Sequence, residues 1–124
     1  MAVHASGVRQ RFVTAVAQLD DGTVVSVKGD VDTATAPALE RRLLDVTEAG
    51  TGEVIVDLTG CSFLDRRGLG ALVAARGRLK RSHRSLALVL SNPSILRIFQ
   101  ITHFDDKFEI YPTLRAAGHR NGHG

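Results

Sequence analysis

The sequence predicts a single α/β domain, a mixed β-sheet with helices packed on it, in the order β-β-α-β-α-β-α-β-α. Three observations carry this. The apolar-rich run Phe12–Leu19 and the β-branched run Thr23–Lys28 flank Asp20-Asp21-Gly22, the signature of a hairpin turn. Two nearly continuous apolar runs, Glu53–Leu58 (EVIVDL) and Ser85–Leu90 (SLALVL), have the character of buried parallel strands. Between the runs, apolar residues recur at helical spacing.

Taken in order, residues 1–11 are small and polar and are expected to be flexible, ahead of a domain spanning 12–117. After the hairpin, Gly29-Asp30-Val31-Asp32 breaks the second strand. A helix follows, with Thr33 or Thr35 as its cap and Pro37 in its first turn, where a missing N–H costs nothing. Ala36, Leu39, Leu43 and Val46 form its core stripe, and Gly50 and Gly52 end it. Beyond the strand Glu53–Leu58, Thr59–Leu64 reads as a loop leading to Asp65 and a helix from about Arg66 to Arg81, with Leu69, Leu72, Val73 and Leu79 inward. Asn92-Pro93 opens a short helix carrying Ile95, Leu96 and Phe99. Lys107–Tyr111 is the last strand, and Pro112 opens a final helix that fades by Gly118. The Gly- and His-rich tail 118–124 is expected to be disordered.

Composition narrows the function. With 44% hydrophobic residues, 124 residues can build a core without metal or disulfide staples. There is no Trp and only 5% aromatic residues, which argues against a surface that stacks bases or sugars. The net charge of +3 and pI near 9.6 are mildly basic. Arg76, Lys80 and Arg84 recur every four residues and read as a solvated helix face; a nucleic-acid footprint there would demand strongly salt-dependent binding. The lone Cys61 excludes an intramolecular disulfide and fits a reducing cytoplasm. The N-terminal MAVHASGVRQRF has no long apolar run, so no secretion signal is expected, nor any membrane span.

Asp65-Arg66-Arg67-Gly68-Leu69-Gly70, preceded by Phe63-Leu64, resembles the Asp-Ser-Ser-Gly-Leu-Gly signature of STAS domains, specifically of the bacterial anti-sigma factor antagonists. Gly29-Asp30-Val31-Asp32 resembles that family's Gly-Glu-Leu-Asp turn, and the similar helix start Thr35-Ala36-Pro37 comes after it. Val54, Asp57 and Leu58 stand where the family has the strand before its signature; Asn92-Pro93 with Leu96 and Phe99 resembles the segment before its third helix. The resemblance runs in order from about Val24 to Leu114. It implies a non-enzymatic protein without cofactor or metal, which switches partners by binding an anti-sigma factor with a GHKL-type kinase fold. It also implies a partner surface at Asp30, Asp32, Thr33, Asp65, Arg66, Arg67, Gly68, Leu69 and Gly70. In the family the kinase phosphorylates the Ser directly after the signature Asp, which ends the interaction.

Here that position is Arg66, and Arg67 is next to it; neither carries a hydroxyl for a Ser/Thr kinase. Asp65 is placed as an N-cap that accepts from the N–H of residue 67 or 68. Two cations then sit at the positive end of a helix dipole, unfavourable by roughly 0.3–1 kcal/mol each before salt screening. A phosphoserine would be favoured at that end. The arginines either meet an acidic partner surface, or the switch has decayed and they reach only solvent. Asp30 and Asp32 serve either the partner or the turn's own caps. Gly68 and Gly70 admit either a partner's backbone or close packing on the sheet, and Leu69 is either a contact or core. Thr33, Thr35 and Ser62 are hydroxyls that could take a phosphate instead.

Rival classes fare worse. Catalysis would have to use Asp57, Cys61, Asp65, His83 or His103, yet no motif places a base beside Cys61. A nucleotide site lacks both Gly-rich phosphate-binding patterns. His119 and His123 have helical spacing but sit among glycines, against metal binding. The alternative of a different class is a STAS scaffold subunit that pairs with other STAS subunits, where an antagonist is expected to be a monomer or weak homodimer.

Overall fold

The computed structural model describes residues 11–119. The expected flexible segment 1–11 therefore falls almost wholly outside the described residues, as do 120–124 of the tail. Five strands form one sheet in the order β1-β2-β3-β4-β5: β1 Val13–Leu19, β2 Gly22–Val31, β3 Glu53–Leu64, β4 Leu86–Val89 and β5 Glu109–Tyr111. The β1–β2 hairpin is antiparallel and every later pairing is parallel. Helices α1 Ala36–Ala49, α2 Arg66–Arg81, α3 Pro93–Ile101 and α4 Leu114–His119 make the connections and close the chain.

Alternation along the strands divides the core between the two faces of the sheet. Val25, Val27, Val54, Val56, Leu58, Leu86 and Leu88 pack with Leu39 and Leu43 of α1, Leu72 and Leu79 of α2, and Ile95 and Phe99 of α3. Their neighbours Val24, Ile55, Ala87 and Val89 face the other way, towards Ala117 of α4. Each fully buried Leu contributes about 1.5–3 kcal/mol of transfer free energy, so the larger face dominates stability. Val73 is only half-buried; Ala71, Ala75 and Gly68 complete the buried side of α2 instead.

Several boundaries differ from the sequence reading. The expected break at Gly29–Asp32 and the expected loop at Thr59–Leu64 are one continuous parallel ladder: Lys28 opposes Gly60, Gly29 opposes Cys61, Asp30 opposes Phe63 and Val31 opposes Leu64. Two register shifts absorb the turn-like residues. Gly29 is required there, since its φ of +92° and the backbone of Arg11 against it leave no place for a side chain. Thr35 holds the N-cap position of α1, but its side chain makes no capping bond. Asp32 Oδ1 caps the turn, accepting from the N–H groups of Ala34 (3.0 Å) and Thr35 (3.1 Å). Arg84 lies beyond the end of α2, so it does not continue the Arg76–Lys80 face. It donates to the carbonyls of Thr47 and Gly52 (both 2.8 Å), where a cation answers the exposed carbonyls at the end of α1. The last helix runs through Gly118 to His119.

The first turn of α2 is pinned both at its cap and on its underside. Asp65 Oδ1 accepts from Gly68 N–H at 3.0 Å, as its place before the helix requires. A Cβ on Gly68 would lie 2.6 Å from both Leu64 Cδ1 and Val31 Cγ1, whereas a Cβ on Gly70 would meet nothing within 4 Å. Gly68 is close packing on the sheet; Gly70 is open surface. Gly68→Ala is accordingly expected to destabilise the domain by about 1–3 kcal/mol through overpacking. Gly70→Ala should stabilise it by about 0.5–1 kcal/mol through helix propensity. Urea unfolding midpoints of the two variants check both signs.

Candidate docking surface at the start of the second helix

The ends of β2 and β3 bring together residues more than thirty positions apart in the chain. Asp65 N–H donates to Val31 O at 3.0 Å, so α2 begins where β2 finishes. Ser62 Oγ donates to Asp30 Oδ1 at 2.8 Å, joining the two strand ends through their side chains. Thr35 Oγ1 donates to Asp30 O (2.8 Å) and accepts from Asp32 N–H (2.9 Å), which folds the β2–α1 turn back on itself. These bonds hold Asp30, Asp32 and Asp65, all half-buried, beside one another at one end of the sheet. Thr33 is exposed at the tip of the turn.

Two cations follow Asp65 directly in the chain. Arg66 and Arg67 are exposed on the first turn of α2. Arg67 Nε lies 3.1 Å from Glu40 Oε2 of α1, with the side chains 51% and 41% exposed, so the pair contributes under about 1 kcal/mol and serves to orient the guanidinium. Glu40 was not among the residues singled out by sequence, because pairing between neighbouring helices leaves no local pattern. Phe63, opposite Asp30 in the ladder, is half-exposed (50%) and gives the same end an apolar element. Of the sequence-predicted residues, Gly68 and Leu69 do not present side chains to this surface: Gly68 packs under the helix and Leu69 is 5% exposed. Asp30, Asp32, Thr33, Asp65, Arg66, Arg67 and Gly70 remain. From Arg67 and Gly70 a shallow groove runs between α1 and α2, walled by Pro37, Leu44 and Ala74.

A family model, described as the STAS domain, matches residues 14–117. The chain belongs to the STAS domain family. Among curated relatives of this STAS chain, an anti-sigma-B factor antagonist of Staphylococcus epidermidis is 33% identical over 91 residues, which is 73% of this chain and 84% of the relative. One of Staphylococcus aureus is 31% identical over 86 residues, 69% of this chain and 80% of the relative. The fold matches a crystal structure of an anti-sigma factor antagonist from Mycobacterium paratuberculosis at 34% identity and a TM-score of 0.81, covering 86% of this chain and 91% of that one. The anti-sigma factor antagonist SpoIIAA in its unphosphorylated form shares the fold at 15% identity, with a TM-score of 0.75 over 89% of this chain and 97% of that one.

The residues available for chemistry are dispersed. Cys61 is buried in β3, its Sγ donating to Phe63 O at 3.3 Å, and burial pushes its thiol above the ordinary value. A nucleophilic cysteine needs the opposite shift. Among the described residues no group of three or more His, Cys, Asp or Glu could hold a metal ion, and no helix is long and apolar enough to cross a membrane. Native Cys61 is therefore expected to react with an aromatic disulfide reagent at least about tenfold more slowly than in the unfolded chain, since access needs local opening. Absorbance traces with and without urea would show this; equal rates would mean that the site opens freely.

Proposed function

We propose that this STAS domain is an antagonist that binds a GHKL-type, kinase-like anti-sigma factor and so regulates sigma-factor-dependent transcription in the cytoplasm. The contact surface is the end of the sheet that carries Asp30, Asp32, Thr33, Asp65, Arg66, Arg67 and Gly70. Its relatives' names and its family support the partner class. The observation that carries the choice of surface is the convergence of two loops distant in sequence on one exposed end, with Arg66 and Arg67 raised on the first turn of α2.

On this reading the protein acts by binding alone, and phosphorylation at position 66 does not control it. An Arg has no hydroxyl to accept a phosphoryl group, and its charge is opposite to that of phosphoserine. The neighbouring hydroxyls differ in availability. Ser62 and Thr35 are engaged with Asp30, and Thr35 is half-buried, so a phosphate there would break the turn that shapes the surface. Thr33 is exposed at the tip of the turn; Ser62 is exposed as well, but its hydroxyl is bonded to Asp30.

Binding should be tested by pull-down against the anti-sigma factors of the host, with calorimetry on any that are captured. Reversing both charges, Arg66→Glu/Arg67→Glu, is expected to weaken one-to-one binding at least about tenfold, the scale of losing two close charge contacts at an interface. Unchanged affinity would remove the arginines from the interface. Arg66→Ser restores a hydroxyl behind Asp65. With the partner kinase and ATP, that variant should gain one phosphate by mass spectrometry while the native chain gains none at position 66. An Arg66→Ser chain that gains no phosphate from the captured partner would sink the proposal that this surface meets a kinase.

A further inference from the structure

The two edges of the sheet are protected very differently. Edge strand β5 is three residues long, contains Glu109 and is followed at once by Pro112, so it offers little for another chain to pair with. Edge strand β1 is seven residues, VTAVAQL, with no charge, no Pro and no Gly. Six of its seven residues are exposed, among them Val13 (46%), Val16 (37%) and Leu19 (49%). Its ladder to β2 is regular from Val13 to Leu19, so it carries no bulge to twist it away. Such an edge is a template for strand addition.

The order of residues in β1 identifies the added strand. Read outward from Val16, the sequence is symmetric in character: Ala15 and Ala17, then Thr14 and Gln18, then Val13 and Leu19. In an antiparallel pairing of β1 with the β1 of a second copy, centred on Val16, each residue meets its counterpart. Val16 faces Val16, alanine faces alanine, Thr14 faces Gln18, and Val13 faces Leu19. Because the register is centred on a residue, opposed positions have the same parity, and every side chain stays on its own face of the sheet. A two-fold interface must be complementary to itself, and this strand is.

The neighbouring surface agrees with the same arrangement. Thr14, Val16 and Gln18 face α1: Arg42 Nε donates to Thr14 Oγ1 at 3.1 Å, and Val16 and Gln18 border an open groove whose other wall holds Arg42, Asp45, Val46 and Ala49. Val13, Ala15, Ala17 and Leu19 form an apolar row on the opposite face. We propose that two copies of this chain associate through β1, antiparallel and centred on Val16, to form one continuous ten-stranded sheet.

Sedimentation velocity across a concentration series tests this on the full chain. The expected result is a mass that rises from the 13.3 kDa of one chain towards twice that value. Val16→Lys places two ammonium groups together on the axis at an already exposed position, and should raise the dimer dissociation constant at least tenfold. Circular dichroism would check that its fold is kept. In this register Ala15 opposes Ala17 of the second copy, both on exposed strand positions; the double variant Ala15→Glu/Ala17→Lys, which pairs opposite charges, should therefore keep the dimer where Ala15→Glu/Ala17→Glu dissolves it, a difference that a general folding defect does not produce. A native chain that stays at the mass of one copy throughout overturns the proposal and leaves the edge to another strand. So does a dimer that Val16→Lys leaves intact, or one that responds alike to the two double variants.

Discussion

The close approach of α2 to the ends of β2 and β3 is the constraint on which the rest depends. Val31 and Leu64 are the final residues of the two strands, both buried, and Gly68 sits against their side chains with no room for a Cβ. The bond from Asp65 N–H to Val31 O sets the same approach through the backbone. Together they draw the β2–α1 turn and the first turn of α2 to one place. A bulkier residue at 68 would lift the helix, and Asp65 would lose its geometry to cap and to reach Val31 at once. The proposed docking surface is thus a by-product of packing beneath it: substitutions at its outermost residues leave that packing intact, while a side chain at 68 does not.

Arg66 and Arg67 illustrate that freedom and its cost. The helix dipole disfavours both, by roughly 0.3–1 kcal/mol each. Asp65 in its capping position and Glu40 beside Arg67 offset part of this, and neither guanidinium needs to leave water. Tolerance of the substitution therefore requires no change in the fold. Relative to the serine of the signature this segment resembles, Arg66 makes the potential at the proposed surface permanently positive. In the proposed contact, a partner adapted to a serine there would meet a longer, charged side chain.

Much of this fold was legible because local signals agreed with long-range ones. Asp65 before Arg66, with apolar residues at helical spacing beyond, located α2 without error, and the capping bond to Gly68 is one of the two expected. Asn92-Pro93 announced α3 by the same logic, with Asn92 Oδ1 accepting from Ser94 N–H. The failures lie where pairing across the sheet overrode local character. Thr59, Gly60 and Ser62 look like loop residues, yet β2 supplies a partner strand, and Gly60 tucks against Lys28. Asp32 displaced Thr35 as the capping side chain because Thr35 Oγ1 was drawn to Asp30 O. Helical spacing placed Leu69 inward, and it is 5% exposed; whether Gly68 faced a partner or the core could not be read from spacing, since the answer rests on Val31, distant in the chain. Phe63 belonged to an unrecognised strand, so its exposure was invisible.

The two surfaces considered for association lie on different features of one sheet, and the geometry lets both be used. The docking surface caps the strands at the C-terminal ends of β2 and β3, while the edge offered by β1 runs alongside them. Antiparallel pairing of two edges points the two sheets' ends in opposite directions. In the proposed dimer the two docking surfaces would therefore look away from each other, at opposite ends of the continuous sheet. Each would be open to its own partner, because the interface uses backbone and small side chains along β1 and draws on no residue of α2. Self-association and partner binding would then be separable by mutation: changes at Val16 act on the first and changes at Arg66 and Arg67 on the second.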